Sequence, residues 1–150
     1  MNHKEYTSPA NVERYTFLWS EARLVVAAVA LLIGGVPPVY LMSPPALFGI
    51  VRLGLIACWI ISGVASAYLL YRWYNGGQKV FGGKDGKDTI AFLVLAISGI
   101  NLGLAGILGK NIGMSILSGR GLFFIVALVY LASAIYLHRR WSASGQKLFT

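Results

Sequence analysis

Charge is what this sequence has least of. Only 12% of its 150 residues are Asp, Glu, Lys or Arg, about half the ~25% usual for a soluble domain. Residues 24–51, 53–71, 89–109 and 121–138 contain no such side chain at all. A globule of this size has too little interior to bury four uncharged runs, so a soluble chain of core helices is excluded and the apolar side chains must face lipid. Acids are scarcer still: Glu5, Glu13, Glu21, Asp85 and Asp88 are all there are. None lies inside an apolar run, which removes the intramembrane carboxylate relay of a proton-coupled carrier. It also leaves no paired carboxylates and no Ser–His–Asp set for catalysis. The one cysteine, Cys58, excludes an intramolecular disulfide.

What is present is hydropathy in four blocks. Each is about as long as the roughly 20 residues that cross a bilayer core, and we place them near Ala22–Met42, Ile50–Tyr74, Asp88–Leu108 and Gly121–His138. The first 20 residues are polar and the first apolar run is too long for a signal peptide's core, so no cleavable leader is expected. Ser8-Pro9 reads as an N-cap and first helical position. Val12, Tyr15, Leu18 and Trp19 then share a face, which predicts a short interfacial helix over Pro9–Trp19.

The 13 Lys and Arg residues are distributed unevenly. Lys4, Arg14, Arg23, Arg72, Lys79, Lys84, Lys87, Arg139, Arg140 and Lys147 flank one side of the expected membrane, as do all five acids. Lys110 and Arg120 flank the other, with Arg52 at its edge. This positive-inside asymmetry places both termini and the central loop in the cytoplasm, with the chain multi-pass in the cell (inner or plasma) membrane. The net charge of +8 then reports orientation and attraction to anionic lipid, not nucleic-acid binding.

The chain also resembles itself. Tyr68–Phe81 aligns without a gap on Tyr136–Phe149 at an offset of 68, with eight of fourteen positions identical: Tyr, Leu, Arg, Trp, Gly, Gln, Lys and Phe. Arg52 and Arg120 keep the same offset. The fold expected is therefore all-α: four transmembrane helices as two tandem helical hairpins in a parallel 2+2 repeat, plus the short N-terminal helix. It forms a single membrane domain divided into a segment 1–20 and hairpins 21–81 and 88–149.

Individual residues support two kinds of reading. Gly99, Gly103 and Gly106 share one face of the third span, the small-residue pattern that lets another backbone approach; Ala27, Ala30 and Gly34 make a weaker stripe on the first. Asn101 is the one amide deep in a span, either a polar ligand in a solute path or an interhelical hydrogen bond. Arg52 and Arg120, at equivalent membrane edges, are either binding groups or anchors to lipid phosphate. Trp19, Trp73 and Trp141 fit an interfacial belt. Pro37-Pro38 should kink or stop the first helix, and Asp88 suits an N-cap of the third. The glycine- and lysine-rich 76–88 loop lacks the G-x-x-x-x-G-K-[ST] spacing of a phosphate loop and reads as a flexible linker. His138 stands without neighbouring ligands in sequence, and nothing asks for a metal or cofactor.

Ser98-Gly99-Ile100-Asn101, Leu102-Gly103-Leu104, Gly106, Arg120 and Ala134-Ile135-Tyr136 follow a pattern of a G-G-[IL]-N-W-G-L-x-G core, a short loop, an Arg and a second span ending A-x-Y. In this the stretch from about 88 to 137 resembles the YuzA-like small bacterial membrane proteins, a family without an assigned function. Leu102 stands where the family has an aromatic residue, and the first half keeps only Gly34-Gly35, Arg52 and the Ala65–Tyr68 end. The resemblance implies a bacterial inner membrane and a helical fold, not an activity. The expected role is a non-catalytic structural or accessory membrane protein, packing through small-residue faces with lipid around it, as a homo-oligomer or a subunit of a larger membrane complex. The alternative is a small channel or transporter formed by the two hairpins.

Overall fold

The computed structural model describes residues 8–116 and 119–149; Lys4 and Glu5, counted above in the charge asymmetry, lie outside them. Its helices in order are α1 Pro9–Leu32, α2 Pro38–Met42, a 3-10 turn Pro45–Leu47, α3 Phe48–Asn75, α4 Gly86–Leu108, α5 Ile112–Ile116 and α6 Arg120–Ala143. α1, α3 (counted from the 3-10 turn), α4 and α6 are each long and apolar enough to cross a membrane, and the chain is a multi-pass membrane protein. At 1.5 Å per residue, the 24 residues of α1 reach about 36 Å.

α1 corrects the sequence reading at both ends. Ser8 caps it as expected, its Oγ accepting from the Asn11 amide at 3.4 Å with Pro9 in the first turn. The helix then runs unbroken through Trp19, so there is no separate interfacial helix. Nor does it continue to Met42 or wait for Pro37. It stops at Leu32 because Gly34 (φ 91°) and Gly35 (φ 85°) turn left-handed, with Gly34 N–H donating to Leu31 and Gly35 N–H to Ala30, a Schellman ending. Gly34 is therefore an exposed cap with nothing within 4 Å of where a Cβ would stand, not part of a packing stripe.

The same ending closes α3 and α6. Gly77 donates to Tyr74 and Gln78 to Trp73; Gly145 donates to Ser142 and Gln146 to Trp141. Gln78 (φ 61°) and Gln146 (φ 65°) both sit in left-handed backbone. After these turns the two segments cross: Phe81 N–H donates to Leu148 at 2.7 Å, and Val80 and Leu148 are buried. The 76–85 stretch is thus a folded loop pinned to the C-terminal segment, not an open linker. Asp85, not Asp88, caps α4, accepting from the Lys87 amide at 2.7 Å.

The four long helices stand in a ring in the order α1, α3, α4, α6, with α1 also meeting α4 across the middle while α3 and α6 do not approach. Each neighbouring pair has its own fastening. Glu13–Arg72 (3.0 Å) ties α1 to α3, Glu21–His138 (3.1 Å) ties α1 to α6, and Asp88–Arg140 (2.7 Å) ties α4 to α6. The fourth pair, α3 and α4, meets backbone to backbone: a Cβ on Gly103 would lie 2.6 Å from the Gly63 Cα. Gly103 is thus buried against α3, and Gly99 meets Ser66 of α3 together with Arg23 of α1. Gly106 faces Trp59 and Ile60 of α3 in the same way.

Glu13–Arg72 and Asp88–Arg140 lie at the end that gathers both described termini and the 76–85 loop, while Glu21, the thirteenth of the 24 residues of α1, meets His138 deeper in. At this end the interior is solid, filled by Phe17, Leu24, Leu69, Phe92, Leu95 and Leu137, all with 0% exposure. Trp141 belongs to this core, its ring centre 5.6 Å from that of Phe17 at a tilt of 42°, beneath the Arg14 guanidinium. Trp73 is half-buried against Phe92. Trp19, three turns into α1, donates to the Ser62 hydroxyl at 3.1 Å. Trp141 is buried and Trp73 half-buried in this packing, so neither is a simple lipid-interface anchor, whereas Trp19 is 40% exposed.

Candidate functional site: a blind cavity below a buried arginine

At the other end the bundle is hollow. A cavity of about 560 Å³ lies among all four long helices and is lined mainly by apolar side chains, including Val26, Ala27, Ala30, Leu55, Leu102 and Phe123. Its polar lining is Trp19, Arg23, Ser62, Ser98, Asn101, Asn111 and Tyr130. Ala27 and Ala30 therefore face open space rather than a glycine row. Gly35, Met114 and Phe123 close together over the far end: a Cβ on Gly35 would collide with Met114 and come 3.3 Å from Phe123.

Arg23 sits where the cavity meets the solid core. The sequence counts it among the flanking cations, but a helix starting at Pro9 makes it the fifteenth residue of α1, and it is buried at 9% exposure. Its two terminal nitrogens donate to the Ser98 hydroxyl and the Leu95 carbonyl, both at 2.8 Å. Ser98 is the thirteenth of the 23 residues of α4, so the guanidinium lies at mid-height. Gly99 makes room for it: a Cβ there would lie 2.9 Å from a terminal nitrogen of Arg23 and would collide with Ser66. The glycine row thus serves two purposes, close helix contact at Gly103 and admission of a cation at Gly99.

No carboxylate answers this charge among the described residues. Glu13 is held by Arg72 and the Phe149 amide (3.1 Å), Glu21 by His138, and Asp88 by Arg140 and the Tyr136 hydroxyl (2.8 Å), while Asp85 caps α4. Tyr130 lies beside Arg23 and Ser98, but a phenol is neutral at ordinary pH. The Arg23 Nε has no hydrogen-bond partner, and neither do the buried hydroxyls of Ser20 and Ser66. A guanidinium carries five N–H donors; the protein supplies acceptors for two of its nitrogens.

Asn101 turns out to be a clamp. Its Nδ2 donates to Asn111 Oδ1 at 2.8 Å and its Oδ1 accepts from the Gly113 amide at 3.0 Å, while Asn111 Oδ1 also accepts from Met114. The partners are Asn111 in the loop after α4 and Gly113 in the short α5, not another long helix. Arg52 and Arg120 are both exposed near the starts of α3 and α6, outside the cavity. His138 does acquire an acidic neighbour, Glu21, 117 residues away; among the described residues no three His, Cys, Asp or Glu side chains converge as a metal site would require. Sequence reasoning missed Arg23, Gly63 and Ser98. The signal for Gly63 was present, since Ser62, Gly63 and Ser66 form a small-residue face on α3.

Compared with protein-family models, with curated proteins and with solved structures, the chain matches none.

Proposed function

We propose that this is a non-catalytic accessory protein of the bacterial inner membrane, related to the YuzA-like proteins, with both termini in the cytoplasm and a binding cavity in the opposite half of the bundle. One observation carries the reading: the cavity is blind. On the side of Arg23 away from the cavity the space between the helices is filled by Phe17, Leu69, Phe92 and Leu137, each fully buried. A channel would need a continuous wet path, and packed apolar side chains provide neither room nor polar partners for water. Among the described residues each acid is engaged by a cation, a cap or a hydrogen bond, which supports a non-enzymatic role. Most of α3 faces outward, so lipid tails or another apolar chain must cover it.

Two measurements test this. In proteoliposomes, ion and small-solute flux is expected to match that of protein-free vesicles; conductance above that level would favour the channel reading. In cells, Lys84→Cys should be shielded from a membrane-impermeant thiol reagent applied outside, while Ser43→Cys reacts, both in a Cys58→Ser background. The reverse labelling pattern would invert the orientation.

A further inference from the structure

We infer that the cavity binds an anionic amphiphile, one carboxylate or phosphate head group seated on Arg23 with its apolar body extending toward the Pro37–Asn111 end. The inference rests on reading the cavity as a blind binding site and adds the chemistry of its occupant.

Three features converge on that chemistry. The first is the uncompensated charge. A buried ion without a counter-ion carries a desolvation penalty of several kcal/mol, and Arg23 has only a hydroxyl and a carbonyl to offset it. Its Nε–H, unpartnered, is the donor a further acceptor would use, and a planar guanidinium matches the paired oxygens of a carboxylate or phosphate. The second is placement. A cation at mid-height in a membrane helix is expensive, and where one is kept it marks a functional site; Gly99, whose missing Cβ makes space for it, shows the bundle is built around this side chain. The third is the cavity's shape and lining. From Ser98 to Gly109 the wall of α4 runs eleven residues, about 16 Å, past Leu102 and Ala105 and opposite Val26, Ala30 and Leu55. A free inorganic anion would leave this apolar length empty, and a neutral lipid would leave Arg23 unanswered. An amphiphile satisfies both ends.

Trp19 and Trp59 line the same cavity and provide the readout, because bromine quenches indole fluorescence on contact. The full-length protein in an uncharged maltoside detergent would be titrated with four probes: a brominated long-chain carboxylate, the corresponding alkyl phosphate, the matched brominated alcohol, and inorganic phosphate as competitor. The carboxylate or the alkyl phosphate, or both, should quench saturably at concentrations at least tenfold below the alcohol, and inorganic phosphate should not displace them. The stronger of the two identifies the head group. Arg23→Gln should remove the tenfold preference, and Arg23→Lys should retain part of it. Should Arg23→Gln fail to fold, the carboxylate-to-alcohol comparison in the unaltered protein decides alone. Equal quenching by acid and alcohol would overturn the anionic head group while leaving an apolar binding site. Displacement by inorganic phosphate would reduce the site to a simple anion site. Absence of saturable quenching by any probe would overturn the binding cavity itself.

Discussion

Gly103→Leu is expected to lower the melting temperature in detergent more than any conservative change in an α4 side chain. A Cβ at Gly103 would stand 2.6 Å from the Gly63 Cα and 3.2 Å from its nitrogen, and a Cβ at Gly63 would stand 2.7 Å from the Gly103 Cα. The obstacle is backbone, not the movable end of a side chain, so α3 and α4 must separate. In lipid there is no hydrophobic gain to hold them together, and association depends on van der Waals contact at close range. Overpacking a close contact costs roughly 1–3 kcal/mol, and the three leucine carbons beyond the Cβ put this case at or above the upper end. With ~2–4 °C per kcal/mol for a chain of this length, a fall of about 5 °C or more should be measured. Two controls isolate the cause. Leu102→Ile, one residue away, should change little. Gly34→Ala should cost only the left-handed backbone strain of about 1–2 kcal/mol, since nothing lies near that Cβ. Gly63→Leu should resemble Gly103→Leu, and the double variant should fall well short of the sum because both break one contact. Equal melting of Gly103→Leu and Leu102→Ile would show that the crossing is not what holds α3 to α4.

Removing either partner of the Asp88–Arg140 pair should be damaging, but unequally. The Asp88 side chain is fully buried, whereas that of Arg140 is 42% exposed. Arg140→Met strands a buried carboxylate with only the Tyr136 hydroxyl to support it, and it also removes the guanidinium from the Phe81 ring, 5.6 Å away. Asp88→Asn removes the buried charge and leaves an arginine that can turn to water. Breaking a pair is most harmful when the charge left behind is the buried one. Arg140→Met should therefore melt well below Asp88→Asn, and adding Asp88→Asn to Arg140→Met should restore part of the loss. A double variant no more stable than Arg140→Met would remove the stranded carboxylate as the explanation.

Much of the architecture was legible in one dimension. The uncharged runs named four long helices because a run of about 20 apolar residues crosses the bilayer as a helix, which satisfies its own backbone groups in lipid. Ser8-Pro9 marks the start of α1, and the segments matched at offset 68 fall on the two turns, Gly77-Gln78 and Gly145-Gln146, that end α3 and α6. These are local properties: hydropathy, capping and left-handed glycines act over a few residues and can be read from them. The errors were local too. The polar residues Ser20, Glu21 and Arg23 suggest a break between a helix over Pro9–Trp19 and a span from Ala22, and the structure has one unbroken helix there.

What those polar residues meet is decided only by packing. Glu13 finds Arg72, Glu21 finds His138, and Arg23 finds Ser98, partners 59, 117 and 75 residues away. Nothing in their own segments indicates such neighbours, because a helix face specifies that a partner is needed and not which one. The glycine row shows the same division. Its spacing determined that some backbone would come close, and the ring order of the helices determined that it would be Gly63 of α3. That order turns Arg23 inward at mid-height with no carboxylate beside it among the described residues, and an orientation marker in the sequence becomes the charged end of a cavity.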